Sequence, residues 1–279
     1  MTGQQSRESD VQTFYSQWAR LYDLIARRLP GVRRIRRTVT AACRLEPGDT
    51  VVEFGCGTGA NLPYLADAVG PTGRVVGIDF TDGVLAQARR RTRAYENVDL
   101  VLADATQPPV SGSPIGTPNG ESTLPERIDA IVATFVVGMF DEPEGVVDTW
   151  CDLLPGGSRL VLANASFAPG IEGALLNPLL RVVTVCSTPP TTRLRYDPSP
   201  AALLDERVRN ATDRLTERSA AVARSDHLGG IVTVVGGIVG GVDGGNVGGI
   251  GGWNVDEVDG AVDGAVVDEV DDEDGTATE

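Results

Sequence analysis

Residues 51–64 read VVEFGCGTGANLPY, an apolar run that breaks into three alternating glycines before a helical spacing begins. A strand that runs through a glycine-rich turn into a helix opens a βαβ unit, where backbone N–H groups and the helix N-terminus approach a bound ligand. The segment Gly55-Cys56-Gly57-Thr58-Gly59-Ala60 satisfies the dinucleotide fingerprint G-x-G-x-x-G/A and equally a shorter G-x-G-x-G turn. The turn alone therefore leaves its adenosine ligand undecided.

Outward from this stretch, short apolar runs alternate with amphipathic segments, the pattern of βαβ units and a parallel sheet. TVVEFG reads as the first strand, with a helix over residues 61–69 whose apolar face is Leu62, Leu65, Ala66 and Val69. RVVGIDF is the second strand. It precedes a helix over residues 82–93 with Val84, Leu85 and Ala88 inward and Arg89 to Arg91 at the end where cations complement the dipole. VDLVLAD, IDAIVATF and SRLVLANA supply strands three to five, and AAVARSDHL with GIVTVVGGIV a closing pair. The expected fold is α/β: a doubly wound, mostly parallel seven-stranded sheet.

The flanks differ in character. Residues 1–44 read as an N-terminal helical cap, with Phe14, Trp18, Leu21, Leu24 and Ile25 on one face and six arginines from Arg27 to Arg37. Residues 45–240 form the main domain. Residues 105–127 are a Pro/Gly/Ser-rich loop, and an apolar insert broken by proline covers about residues 167–198. After it, Ser199-Pro200 is a helix start, with serine at the N-cap and proline at N1, and Leu203, Leu204, Val208 and Leu215 on the apolar face. Residues 241–279, rich in Gly, Val, Asp and Glu, combine little apolar mass with strong like charge and read as a disordered acidic tail.

Composition narrows the function classes. The chain has 279 residues, 41% of them hydrophobic, enough for a sizeable core. All 24 basic residues are arginine, and of the 39 acids 12 follow Gly240, where no base occurs. The net charge of −15 is therefore concentrated in the tail, and the lysine-free acidic composition predicts a halophilic surface. A near-neutral body with an anionic tail disfavours nucleic acid as a partner. No apolar run reaches the ~20 residues of a membrane span. The polar start MTGQQSRESD lacks a secretory pattern, so the expected location is cytoplasmic. Cys43, Cys56, Cys151 and Cys186 stand far apart with no nearby histidine, which supports neither a metal site nor a disulfide framework.

Three features separate the candidate ligands. Asp79 ends the second strand, 20 residues after Gly59, where a carboxylate accepts hydrogen bonds from ribose hydroxyls in either case. Glu53 precedes the first glycine by two residues, Asp104-Ala105 follows the third strand, and Leu154-Pro155-Gly156-Gly157 precedes the fifth. In this order and at these separations they resemble a class I S-adenosylmethionine-dependent methyltransferase, over about residues 45–165. The segment Trp18-Ala19-Arg20-Leu21-Tyr22-Asp23 and the exit Thr134-Phe135 look like quinone-biosynthesis C-methyltransferases and phospholipid N-methyltransferases. After Phe135 the chain departs from the quinone enzymes, with Val136-Val137-Gly138-Met139 replacing their arginine-asparagine stretch.

The resemblance implies S-adenosylmethionine as cofactor. Gly55, Gly57 and Gly59 would admit its methionine moiety, with Thr58 and Glu53 organising the turn and the amino group. Asp79 would take the ribose, Asp104 the adenine amino group, the Ala105 backbone a ring nitrogen, and Thr134 would lie near the sulfonium. Methyl transfer is an in-line displacement served mainly by alignment in a dry pocket. A base is needed only when the acceptor must lose a proton; Tyr15, Tyr22, Asp23, Tyr196 and the single histidine, His227, are the candidates. The insert favours a small hydrophobic, lipid- or quinone-like acceptor, and the arginines from Arg27 to Arg37 suggest peripheral membrane contact. The alternatives are a nicotinamide-dependent oxidoreductase and a non-catalytic cofactor-binding protein whose acidic tail engages a partner.

Overall fold

A computed structural model describes residues 31–109, 124–166 and 200–240. The order is α1 (Val32–Cys43), β1 (Thr50–Phe54), α2 (Leu62–Val69), β2 (Arg74–Asp79), α3 (Asp82–Arg91), β3 (Val98–Leu102), β4 (Ala130–Thr134), a 3-10 turn (Val137–Met139), α4 (Pro143–Asp152), β5 (Arg159–Ala165), α5 (Pro200–Glu217), β6 (Ser219–His227) and β7 (Val232–Val239). One seven-stranded sheet has the order β3-β2-β1-β4-β5-β7-β6. Strands β1 to β5 are parallel, and β7 runs antiparallel to both its neighbours. The doubly wound, mostly parallel sheet expected from the apolar runs is thus present.

Alternation along the strands sorts the core into two layers. Val51, Val75, Ala130, Val132, Val161 and Val234 pack against α1, α2 and α3. Val52, Phe54, Ile78, Ile131, Leu160, Leu162 and Val235 pack against α4 and α5. Both early helices bury the expected residues, Leu62, Leu65, Ala66 and Val69 on α2 and Val84, Leu85 and Ala88 on α3. Helix α4 was not anticipated. Its buried face is Pro143, Val146, Val147, Trp150 and Cys151, and Pro143 starts it at a position where a missing N–H costs nothing.

Helix α5 is held over α4 by charge as well as apolar contact. Asp148 Oδ1 on α4 accepts from Arg214 Nε and from Arg218 Nη1, each at 2.8 Å. Burial raises the Asp148 pKa, but the bonds from Arg214 and Arg218 outweigh it and leave the carboxyl below its ordinary value. A depressed carboxylate contributes stability above its unfolded pKa and loses it as pH falls. Asp148→Asn is therefore expected to cost about 1 kcal/mol at neutral pH, since the pair is partly exposed, and nothing in acid. Urea melts at two pH values would show it, and a pH-independent cost would contradict the charge argument.

In a doubly wound sheet ligands bind at the carboxyl ends of the strands where the order reverses. Here that point lies between β1 and β4, and it brings the glycine turn after β1 beside Thr134 at the end of β4.

Candidate functional site

Glu53 is the buried polar residue at the centre of this point, only 2% exposed. It sits on the α1/α2 side of β1, between Val52 and Phe54, which face the opposite layer. Asn61 Nδ2 donates to Glu53 Oε1 at 2.6 Å and to Thr134 Oγ1 at 2.9 Å, while Arg36 Nη1 of α1 donates to Asn61 Oδ1 at 2.9 Å. Asn61 stands at the N-cap of α2 yet makes no capping bond. An N-cap asparagine ordinarily satisfies the first N–H groups of its own helix. Here the amide is given instead to three side chains from three elements. Glu53 Oε2 is buried with no hydrogen-bond partner.

Burial pushes the Glu53 carboxyl up to about 7; the Asn61 bond and the Arg36 charge lower it, and the Asp79 charge adds to the rise. A buried acceptor without a donor is costly, and a ligand that brings a donor to it relieves that cost. An ammonium group has the charge and the donors that Oε2 lacks.

The turn itself is built to leave room. Gly55, Gly57 and Gly59 all have positive φ. Gly57 has φ of +55°, and nothing lies within 4 Å of where a Cβ would stand, so its missing side chain opens space. Gly59 differs: a Cβ there would come within 2.9 Å of Ala88 Cβ, so this glycine lets the turn pack on α3. Thr58 is tied to the same helix, because Arg91 Nη1 donates to its carbonyl at 2.7 Å and its hydroxyl at 3.0 Å.

Asp79 links the first two strand ends. Its Oδ2 accepts from Gly57 N–H at 3.0 Å and its Oδ1 from Thr81 N–H at 2.9 Å. Burial raises its pKa against these backbone bonds. The Thr81 hydroxyl and the Phe80 N–H also act on this carboxylate, so a ribose diol would share its acceptor positions with the turn that holds it. At the next strand end, Asp104 is exposed, and its Oδ1 accepts from the backbone and hydroxyl of Thr106, both at 2.8 Å. Ala105 is buried, and its carbonyl accepts from Trp150 Nε1 at 2.8 Å. Trp150 is fully buried and stacked on Phe54, with ring centroids 4.9 Å apart. Helix α4 thereby pins the loop after β3 to the β1 strand that carries the turn.

Thr134 is followed by Phe135, which holds φ of +58° and donates its N–H to Ala163 at 2.7 Å. A non-glycine residue in this region stores about 1–3 kcal/mol of strain, which the surrounding structure must overcome.

All nine expected cofactor residues, Glu53, Gly55, Gly57, Thr58, Gly59, Asp79, Asp104, Ala105 and Thr134, lie at or just beyond the carboxyl ends of β1 to β4. His227 does not join them. It ends β6, with Ser225 Oγ 3.0 Å from its Nε2, and β6 is three strands from β4. At ~4.8 Å per strand that is about 14 Å from Thr134. Tyr15, Tyr22, Asp23 and Tyr196, the apolar insert and the acidic tail lie outside the described residues. Cys43, Cys56 and Cys151 are buried with thiols pushed up by burial, the last to about 11. Sequence reading missed Arg36, Asn61 and Trp150. Asn61 carried a faint signal, a good capping residue directly after the glycine turn.

Comparison with known proteins agrees with this geometry. Residues 52–160 match the family model described as a methyltransferase domain. Over 141 residues the chain is 28% identical to an arsenite methyltransferase of Halobacterium salinarum, covering 50% of this chain and 33% of that protein. Over 157 residues it is 27% identical to a 2-phytyl-1,4-naphtoquinone methyltransferase of Thermosynechococcus vestitus, covering 55% and 64%. Both matches span less than two thirds of the relative's length. The crystal structure of the CurJ carbon methyltransferase shares the fold, with a TM-score of 0.51 and 17% identity over 70% of this chain and 50% of that one. Over residues 52–160 the chain thus carries a methyltransferase domain, set within the doubly wound sheet described above. Among the described residues no helix is long and apolar enough to cross a membrane.

Proposed function

We propose that this protein binds S-adenosylmethionine at the β1/β4 switch point and transfers its methyl group to a small hydrophobic acceptor. The observation that carries the reading is the Glu53 carboxyl, buried two residues before the glycine turn with one oxygen lacking any partner, in a unit whose Gly57 leaves open space. Glu53 would take the ligand's ammonium, Asp79 the ribose hydroxyls, Asp104 and the Ala105 backbone the adenine edge, and the Thr134 hydroxyl would flank the reacting end. The cofactor, when bound, supplies an electrophilic methyl on a sulfonium and leaves as a neutral thioether. The residues of the chain would bind, align and exclude water, which is where the rate of an in-line displacement is gained.

For the acceptor, support comes from the relatives, which are named for a phytylated naphthoquinone and for arsenite. We favour the carbon-rich, quinone-like class, because the insert at about residues 167–198 is apolar where an acceptor pocket would be completed. Peripheral membrane contact through the arginine-rich helix fits such a substrate, with Arg33 and Arg34 exposed on α1.

Calorimetry with S-adenosylmethionine and with NAD tests the first step, and mass shifts in quinone and polyketide extracts incubated with enzyme and cofactor test the second. Binding of NAD alone would overturn the proposal. Glu53→Gln supplies a further check. The wild-type carboxyl titrates near 7 when folded against 4.5 ordinarily. The folded state thus holds its proton longer than the unfolded one, and stability falls as pH climbs between those values. The glutamine variant is expected to melt higher than wild type at pH 8 while binding S-adenosylmethionine about tenfold or more weakly. A variant that melts lower and binds equally would remove Glu53 from the site.

A further inference from the structure

Six arginines between Arg27 and Arg37 suggest a solvated or membrane-facing charge run. One of them has a different placement. Arg36 is only partly exposed, and its Nη1 donates to Asn61 Oδ1 at 2.9 Å. That bond settles which way the Asn61 amide points. With Oδ1 occupied by a guanidinium donor, Nδ2 must face Glu53 Oε1 and Thr134 Oγ1, as it does at 2.6 and 2.9 Å. A donor on the amide oxygen also polarises the amide and strengthens the bonds given by its nitrogen. Three elements, α1, the start of α2 and β1, therefore meet in one polar chain that ends on the unpartnered Glu53 Oε2.

Resting on the cofactor reading above, we propose that Arg36 is a positioning residue of the cofactor site: through Asn61 it holds Glu53 with Oε2 presented to the ammonium group of an amino-acid-bearing adenosine ligand. Helix α1 is then part of the ligand site, although Arg36 precedes Glu53 by 17 residues.

The charges around Glu53 decide the direction of the effect. Among the described residues Arg36 from α1 is the cation that lowers its pKa, and Asp79 from β2 raises it. Cys43 of α1 and Cys56 of the turn both feel the Glu53 charge, but their thiols are held protonated by burial and carry no charge at neutral pH. Removing Arg36 leaves desolvation and Asp79 opposed only by Asn61, so Glu53 stays protonated to higher pH. Ammonium binding by a protonated carboxyl is weak, and the deficit shrinks as pH rises and Glu53 ionises in both proteins.

The test uses the full chain and two probes. S-adenosylhomocysteine carries the ammonium and carboxylate; 5′-methylthioadenosine has the adenosine part without either. For Arg36→Met, the expected result is about tenfold weaker binding of S-adenosylhomocysteine near pH 7. The ratio to wild type should narrow as pH is raised toward about 8, with unchanged affinity for 5′-methylthioadenosine. Arg36→Lys, which keeps the positive charge, should recover most of the loss. A deficit equal at every pH would mean that Arg36 touches the ligand itself or only supports the fold. Equal weakening of both probes would mean that α1 merely packs. Either outcome, or no change, overturns the proposal. Failure of the wild type to bind S-adenosylhomocysteine at any pH would instead overturn the cofactor reading, and the role of Arg36 with it.

Discussion

Replacing Gly57 with alanine should leave a folded protein that has lost its hold on S-adenosylmethionine. The backbone there has φ of +55°, and the added methyl would meet no protein atom within 4 Å. The cost to folding is therefore the left-handed conformation alone, about 1–2 kcal/mol. The Gly57 N–H remains bound to Asp79 at 3.0 Å and keeps the turn in place. The methyl then stands in the space that a ligand over the turn requires, and overpacking of a close fit by one carbon costs about 1–3 kcal/mol. A loss of about 100-fold in affinity is expected at the upper end of that range. Gly59→Ala is the contrasting case, because its methyl would lie 2.9 Å from Ala88 Cβ and 3.2 Å from Ala88 Cα. It should destabilise the protein first and weaken binding only as a consequence. Melting curves and calorimetry on both variants distinguish the two, and a Gly57→Ala protein with wild-type affinity would show that the ligand does not lie over the turn.

Trp150→Ala should have the largest effect on stability. The indole is fully buried, lies parallel to Phe54 at 4.9 Å and meets Phe140 edge-on at 5.9 Å. Truncating such a side chain costs about 3–5 kcal/mol, a large share of the 5–15 kcal/mol that holds a domain folded. The Ala105 carbonyl, buried and served by Trp150 Nε1, would also lose its donor. Trp150→Phe separates the two contributions. It keeps an aromatic ring on Phe54 but removes the bond to Ala105, for an expected cost of about 1–3 kcal/mol. Since that bond positions the loop after β3, Trp150→Phe should also weaken 5′-methylthioadenosine, the probe that Arg36→Met spares. Urea denaturation of both variants gives the stability figures, and equal losses for Phe and Ala would assign the whole effect to the hydrogen bond.

Much of the fold was legible because its signals are local. The apolar runs, their two-residue alternation and the helical faces at Leu62, Leu65, Ala66 and Val69 each depend on neighbours a few positions away. The glycine turn was legible for the same reason, and Asp79 and Asp104 because a parallel sheet brings consecutive strand ends to one edge. Helix α4 went unread: Pro143 and Glu144 at its start look like a turn, and its apolar face is short. Asn61 reads as the first residue of a helix, and Arg36 as one more member of a charge run.

By itself, then, the order of residues determined a doubly wound domain with a glycine turn for an adenosine ligand, and the strand-end acids that would serve it. Only the tertiary structure decided how that turn is supported. Glu53 and Thr134 are 81 positions apart, and Arg36 and Asn61 are separated by 25. Whether these side chains meet depends on strand order and on which face each helix lies against. The strained backbone of Phe135 belongs to the same class of fact, since a positive φ there is imposed by neighbouring strands and leaves no mark on residue type. Local preference writes the strands and turns, but a buried polar network is assembled by distant contacts, and no short stretch of sequence contains it.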